Sequence, residues 1–264
     1  MKPSLSAQLV SEYRKIMTWR VWWYLVGVLL VVLAGLTALI SQIALSSSPF
    51  GNGADDAGNA SVLFSAPTLV APMVAITVGI LVATRDYRNG TATLTFLGEP
   101  RRNRVLASKI VVAAAANILL AALSVIVSAG VAVAFLVAAG EQLWLWSSPV
   151  QAKLGWTVIA FMLWSLIGLG IGELVRNQFG ALLSAFGYLL AIEPALRMML
   201  GMGNIRLVDF FPGSAGDSLV GGTPMSGMYP RDLQDPVQGG LVLAAFAAIA
   251  LALGWVRITR SDVP

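Results

Sequence analysis

The sequence predicts an all-α membrane protein with six transmembrane helices, and three observations support this prediction. Of its 264 residues, 57% are hydrophobic and only 11% are charged, whereas a soluble domain carries about 25% charged residues. Six apolar runs each approach the roughly 20 residues that a helix needs to cross a membrane. The few charged residues fall mostly between these runs and separate by sign along the chain.

The missing residue types exclude several classes of function. The chain has no histidine and no cysteine. Without histidine it cannot form an H-E-x-x-H zinc protease, a Ser–His dyad or a histidine-ligated haem or copper site. Without cysteine it has no thiol nucleophile, disulfide or thiolate-bound zinc. We therefore expect a protein that is not itself an enzyme, with no metal or cofactor bound to this chain.

The predicted spans cover residues 21–45, 62–84, 110–136, 154–172, 177–200 and 237–256. The first begins after residue 20 and exceeds the roughly 7–15 apolar residues of a signal peptide, so we expect it to be retained. Trp22, Trp23 and Tyr24 at its start suit the aromatic belt of a membrane interface. The fifth span is the least regular because charged residues and a proline interrupt it.

The charge distribution predicts the orientation. Six spans place both termini on one side of the membrane. Thirteen of the 17 basic residues and five of the 13 acidic residues fall on that side, so its net charge is +8 and that of the other side is −4. Because basic loops stay in the cytoplasm, we expect both termini of this multi-pass protein to be cytoplasmic.

The N-terminal segment, residues 5–18, predicts an amphipathic helix. Leu5, Leu9 and Tyr13 recur at four-residue steps, while Glu12 and Lys15 lie elsewhere on the helical wheel. Such a helix can lie in the membrane interface. The alternative is a charged cytoplasmic tail that only orients the protein.

Residues 85–104 form the largest cytoplasmic loop. Asn89 and Gly90 could start a short helix, and Gly98 with Pro100 would end it. A helix of residues 91–97 is too short to be stable alone, so it would need a docking surface on a partner. The residues alone leave two interpretations open, a helix that docks on a partner and a plain basic loop.

Two features near the outer side have structural and functional interpretations. Glu193 and Arg197 lie four residues apart in the fifth span and could pair on one helix face, with Pro194 kinking the helix between them. They form either a structural ion pair or part of an outer gate. The Gly- and Pro-rich segment 201–236 is either a surface loop or a set of short helices that enter the membrane edge.

Gly168 and Gly172 form a G-x-x-x-G pattern in the fourth span. Small residues at this spacing allow two helices to approach closely. The pattern is compatible with packing inside the subunit and with a seam between two copies.

Four segments, in chain order, resemble the permeases of ABC-2 type transporters, particularly their actinobacterial branch. They are LVSEYRKIMTWRVWW near the N-terminus, YRNGTATLTFLGEPRRNRVLASKI at residues 87–110, VRNQFGALLSAFGYLLAIEPALRMML in the fifth span, and FFPGSAGDSLVGG after it. One departure is Asp86, because the family more usually has glutamate before this tyrosine. The segments are spread in order over most of the chain, from residue 9 to residue 222.

This resemblance implies a single transmembrane domain over residues 1–264, forming the membrane subunit of an ATP-driven exporter in a bacterial plasma (inner) membrane. Residues 5–18 would be the family's elbow helix, with Glu12 and Lys15 on it. The loop after the second span would contain the coupling helix. The residues that would dock into a separate cytoplasmic ATPase subunit are Tyr87, Gly90, Thr91, Leu94 and Leu97.

The resemblance also implies the partners. Two permease copies or homologues would pair within membrane lipid, and two ATPase subunits would bind ATP and magnesium; no nucleic acid is expected. The chain has no G-x-x-x-x-G-K-[ST] phosphate loop, so it should not hydrolyse ATP itself. The apolar spans suit a hydrophobic or amphipathic cargo such as a drug, antibiotic, peptide or lipid. The main alternative is a self-sufficient channel or secondary transporter, which would normally show charged or broken helices near the membrane midplane.

Overall fold

The computed structural model describes residues 9–14, 18, 20–46, 60–91, 101–203, 206–224, 226 and 235–260. Throughout these ranges the regular structure is helical and contains no strand. Six helices within the described ranges are long and apolar enough to cross a membrane. The predicted class is therefore confirmed, and the chain is an all-α, multi-pass membrane protein.

Five spans are α-helices: α1 (Arg20–Ser46), α2 (Ala66–Arg88), α3 (Arg102–Ala139), α4 (Ser148–Val175) and α8 (Pro236–Arg260). The fifth span consists of α5 (Gln178–Gly187), a π-helical segment (Tyr188–Ile192) and α6 (Glu193–Met202). A short helix, α7 (Pro212–Leu219), precedes α8, and 3-10 turns occupy Ser61–Phe64 and Arg206–Phe210. Several spans extend beyond the predicted bounds. The third begins eight residues earlier, at Arg102 instead of residue 110.

Helix α4 lies at the centre of the bundle. It packs most extensively against α2, and also against α8 and α3, while α1 packs against α3. Helices α2 and α4 are the most buried spans. Large apolar side chains such as Val31, Leu183 and Leu241 are exposed on the outer helices, as expected of surfaces that face lipid.

Glycines allow α2 and α4 to approach backbone to backbone. A methyl group at Gly79 would overlap the Ser165 carbonyl of α4, and one at Gly168 would overlap the backbone of Ile76 on α2. Gly172 lies against Ala83 of α2. The G-x-x-x-G pattern of the fourth span therefore packs within the subunit.

Polar side chains also join neighbouring spans. The Thr37 hydroxyl of α1 donates to Ser128 Oγ of α3 at 3.0 Å. Asn117 Nδ2 of α3 donates to Ser165 Oγ of α4 at 2.7 Å. Lipid tails are as apolar as the side chains of the spans, so apolar contact alone does not decide which helix faces meet. Interhelical hydrogen bonds of this kind fix the relative orientation of the spans.

The spans alternate in direction and gather most of their arginines at one end. There, Arg102 at the start of α3 donates to the Ile258 carbonyl near the end of α8. Trp255 Nε1 of α8 donates to Asn103 Oδ1 of α3 at 2.8 Å. We call this end, where α2, α4 and α8 finish and α3 starts, the basic end. Its assignment to the cytoplasm stays a prediction.

Two short helical elements, the 3-10 turn Arg206–Phe210 and α7, precede the last span. That they enter the membrane edge stays a prediction. Helix α7 packs chiefly against α8 and also touches α4. Gly216 of α7 lies against the indole of the buried Trp164. Helix α7 is therefore part of the packed bundle, away from the basic end.

We predict that Gly168→Ala lowers the free energy of unfolding by about 1–3 kcal/mol, because overpacking here meets backbone that cannot rotate away. The measurement is the thermal unfolding midpoint of purified protein in detergent. Gly130→Ala is the matched control, since a Cβ at this helical glycine meets open space. Equal midpoints for the two variants would show that α2 and α4 can move apart at Gly168 without loss of stability.

Candidate functional site

A buried charged cluster joins three spans at the basic end. The Lys109 ammonium of α3 lies 2.8 Å from Glu173 Oε1 of α4 and 3.4 Å from Asp86 Oδ2 of α2. It also donates to the Ala83 carbonyl at 3.1 Å. The exposed fractions of Lys109, Asp86 and Glu173 are 3%, 4% and 0%. Because separating buried ion partners leaves uncompensated charge in a medium of low polarity, this cluster fixes the three helices to one another.

Tyr87 completes the charged cluster on its outer side. Its hydroxyl donates to Glu173 Oε2 at 3.0 Å. The ring lies 5.6 Å from Lys109 Nζ and 5.4 Å from the Arg176 guanidinium, within the range of cation–π attraction. Both oxygens of Glu173 therefore have a partner, and Tyr87 is held between two cations.

The end of α2 sets the position of Asp86 and Tyr87. The Thr91 N–H donates to the Asp86 carbonyl at 2.9 Å, and the Gly90 N–H donates to the Tyr87 carbonyl at 3.3 Å. Gly90 has φ +66°, a left-handed conformation that glycine adopts without strain. The turn thus ends α2 immediately after the cluster and directs the chain out into the loop.

The end of α4 has a left-handed residue that is not glycine. Arg176 has φ +58°, which is uncommon for a residue with a side chain. Its Nη2 donates to the Arg257 carbonyl of α8 at 3.0 Å, and its guanidinium approaches the Tyr87 ring. Arginine at this position therefore links the ends of α2, α4 and α8, contacts that glycine could not supply.

The residues that the resemblance placed at the ATPase contact divide into two groups. Tyr87, Gly90 and Thr91 lie together where the loop leaves α2, with Tyr87 half-buried and its hydroxyl turned inward. Leu94 and Leu97 lie outside the described residues, as does the predicted helix beyond residue 91. The structure thus describes the base of the loop and gives Tyr87 a contact inside the bundle.

The N-terminal segment is helical over residues 9–14. Leu9 and Val10 lie along α3, beside Val112 and Ala116. Glu12, which the helical wheel placed on the polar face, is only 5% exposed. Its carboxylate lies close enough to Arg85 of α2 for the two opposite charges to attract each other. Lys15 lies outside the described residues.

A second polar site lies at the far end of the fifth span. Glu193 Oε1 accepts a hydrogen bond from the Ser214 N–H at the start of α7, at 3.0 Å. Arg197 Nη2 donates to Asp217 Oδ2 of α7 at 2.9 Å. The two side chains, expected to pair with each other, thus each have a partner on α7. Pro194 is the second residue after the π-helical segment, and its missing N–H disturbs the regular α-helical pattern there.

This second site holds α7 by its N-terminus and by its flank. A carboxylate at a helix N-terminus accepts hydrogen bonds from the free N–H groups there and is attracted by the positive end of the helix dipole. A methyl group at Gly213 would overlap Glu193 Oε1, so glycine permits the close approach. Burial raises the pKa of the Asp217 carboxyl, and the Arg197 guanidinium opposes that rise.

Reading the sequence missed most of the charged cluster. In the sequence, Lys109 and Arg176 only helped to predict which side of the membrane is cytoplasmic. Asp86 was noted only as a departure from the family's usual glutamate. One usable signal was present in the run GLGIGELV, where a lone acid, Glu173, ends a glycine-rich span on the side with excess positive charge. The contact of that acid with Lys109, 64 residues away, depends on helix packing.

No protein-family model and no curated protein matches this sequence. Within the described ranges, no group of three or more acidic side chains could hold a metal ion. The arrangement of the charged cluster is suited to a mechanical role, since it ties the base of a loop to three spans.

We predict that Lys109→Met lowers the free energy of unfolding by about 3–5 kcal/mol, because it leaves two buried carboxylates without their cation. Chemical or thermal unfolding in detergent measures the loss. Lys153→Met is the control. Lys153 is also buried, but it donates to the Gly222 carbonyl, so its removal leaves no carboxylate unpaired.

The triple variant Asp86→Asn, Lys109→Met, Glu173→Gln should recover most of that loss, because no net charge then remains buried. If Lys109→Met unfolds no more readily than Lys153→Met, the cluster does not hold the helices together.

Proposed function

We propose that this chain is the membrane subunit of an ATP-driven exporter of the ABC-2 type. A second permease copy or homologue would complete the translocation path, and a separate cytoplasmic ATPase subunit would supply energy from ATP and magnesium. The basic end would face the cytoplasm of a bacterial cell. The cargo would be a hydrophobic or amphipathic molecule, moved by alternating access.

The charged cluster is the observation that carries this proposal. A loop that receives force from an ATPase must be attached firmly to the spans that it moves. Helix α2 runs to Arg88 and α3 starts at Arg102, so the loop is shorter than the predicted residues 85–104. Asp86 and Tyr87 therefore lie just before the loop, and Lys109 lies in the helix that follows it. Because both sides of the loop meet in one buried cluster, displacement of the loop would move α2, α3 and α4 together.

The sequence supports a separate source of energy. It contains no G-x-x-x-x-G-K-[ST] phosphate loop, the motif that cradles the phosphates of a bound nucleotide. Arginines and a lysine surround the candidate coupling loop instead. A membrane subunit of this kind would supply the translocation path and take its chemical energy from a partner.

The polar site on the fifth span supports an outer gate in this proposal. Glu193 and Arg197 hold α7 from one side, and the π-helical segment interrupts the span immediately before them. π-Helical segments occur frequently at functional sites. A change in the fifth span would therefore act directly on the helix that stands at the far end of the bundle.

A secondary transporter remains the second candidate, since buried ionisable groups and a broken helix are features of that class. Against it, Asp86 and Glu173 lie in the last turn of their helices, so the charged cluster is near the end of the bundle and not its middle. Dependence of transport on ATP and on the ATPase subunit separates the two candidates.

We predict that a tagged form of this chain copurifies with an ATPase carrying a phosphate-loop motif, and that Gly90→Ala reduces the recovered ATPase about tenfold. The alanine strains the turn at the base of the loop by about 1–2 kcal/mol. Quantitative mass spectrometry of the purified complex measures the ratio of the two subunits.

Gly140→Ala is the matched control, because Gly140 has a similar φ of +74° but ends α3 at the opposite end of the bundle. Equal recovery of the ATPase with both variants would place its contact elsewhere. Absence of any such ATPase in the native host membrane would contradict the proposal.

We predict that Glu193→Ala lowers export per folded protein about tenfold, the effect of losing one charge-assisted hydrogen bond of about 1.5 kcal/mol. The measurement is ATP-dependent accumulation of an amphipathic fluorescent dye in inside-out vesicles, normalised to protein that elutes as folded. Glu141→Ala, which removes an exposed acid, is the control. Equal transport by the two variants would remove Glu193 from the gate.

A further inference from the structure

A deep apolar groove separates the fifth span from α8. Its cavity of about 460 Å³ has α4 as its floor, and its size falls within the roughly 300–1,000 Å³ of small-molecule sites. The lining, which comes entirely from described residues, contains no charged side chain. Three lining residues have a polar group in the side chain: the hydroxyls of Ser184 and Tyr188 and the indole N–H of Trp164.

The groove runs along the spans towards the basic end. Trp164 and Pro212 line its inner part, and Leu174 and Leu253 line it nearer the ends of α4 and α8. An elongated apolar space parallel to the helices matches the direction of an acyl chain in a bilayer.

Arginines stand at the mouth of the groove. Phe246, Ile249 and Leu253 line it at three- and four-residue steps along α8, and Arg257 continues the same helix face one turn further on. The hydrogen bond from Arg176 to the Arg257 carbonyl brings α4's arginine to the same place. Arg257 is exposed, so its guanidinium is accessible to a ligand at this mouth.

The two parts of the site have different roles. Lipid tails are as apolar as the groove, so burial of a tail there provides little preference for one lipid over another. A guanidinium, in contrast, binds a phosphate strongly and with defined geometry. Selection among lipids must therefore come from the headgroup at the mouth.

We propose that this groove binds an anionic phospholipid, with one acyl chain between the fifth span and α8 and its phosphate at Arg176 and Arg257. The lipid belongs to the leaflet at the basic end. Basic pockets between spans at the cytoplasmic face are known to take anionic headgroups. The site does not depend on an ATPase partner, so a failure of the proposed export function would leave this proposal unaffected.

The test uses the full chain in phosphatidylcholine vesicles that contain a trace of a photoreactive lipid, either phosphatidylglycerol or phosphatidylcholine with a diazirine in its tail. After irradiation, mass spectrometry maps the adducts. We expect the phosphatidylglycerol probe to label α5 and α8 at the groove and to be displaced by unlabelled phosphatidylglycerol. The phosphatidylcholine probe should label the groove far less.

Two pairs of variants separate the tail from the headgroup. Ile249→Trp should block labelling in the groove, whereas Leu241→Trp, at an equally exposed apolar position of α8 outside the groove lining, should not. Arg257→Gln should reduce the preference for phosphatidylglycerol about fivefold. Arg20→Gln removes an exposed arginine of α1 and should leave the preference unchanged.

Equal labelling by the two probes in the wild-type protein would overturn the proposal, because the arginines would then select nothing. Labelling that survives Ile249→Trp in a variant that elutes as folded would place the lipid elsewhere. Crosslinks between two protein copies through the groove, without lipid adducts, would show that a second copy fills it, and would also overturn the proposal.

Discussion

The close approach of the α2 and α4 backbones is the constraint on which the basic end depends. Glycine on both helices lets their carbonyl groups and Cα atoms come into contact, as Gly79 and Gly168 show. This contact brings Asp86 and Glu173, each in the last turn of its helix, to the same level. Two buried carboxylates so placed need a cation, and Lys109 of α3 supplies it. The charged cluster is thus a consequence of helix packing as well as a cause of stability.

The bundle has two regions of different character. Helices α2, α3 and α4 are joined by glycine contacts, interhelical hydrogen bonds and the charged cluster. The fifth span is less buried, is broken by a π-helical segment, and leaves a groove beside α8. In the proposed exporter, the first region would receive force from the ATPase and the second would change shape.

The sequence predicted the helices well because lipid imposes one dominant rule on each span. A run such as residues 21–45 has to be apolar and long enough, and that can be counted. The ends were harder to predict. Residues 102–109 are helical despite three basic residues. Lys109 has buried partners and Arg102 reaches the carbonyl groups at the end of α8, contacts that no local pattern encodes.

The polar sites show the same contrast between positions that the sequence predicts and contacts that it does not predict. The spacing of Glu193 and Arg197 predicted that both would lie on one helix face, and it correctly marked a place of interest. Their partners on α7 lie 20 or more positions later in the chain, so only the fold could identify them. Gly90 was expected to start the short helix of the loop. In the structure it has a left-handed φ of +66° and forms the turn that ends α2.

The π-helical segment also has a consequence for how the fifth span faces its surroundings. A π turn takes up one residue more than an α turn, so the residues after Ile192 are rotated by about 100° from where a continuous α-helix would put them. The two halves of the span therefore face in directions that are set independently. Ser184 and Ala185 face the groove, and Glu193 and Arg197 face α7. Deleting a single residue between 188 and 192 would restore an ordinary helix and leave those two surfaces out of phase with their partners.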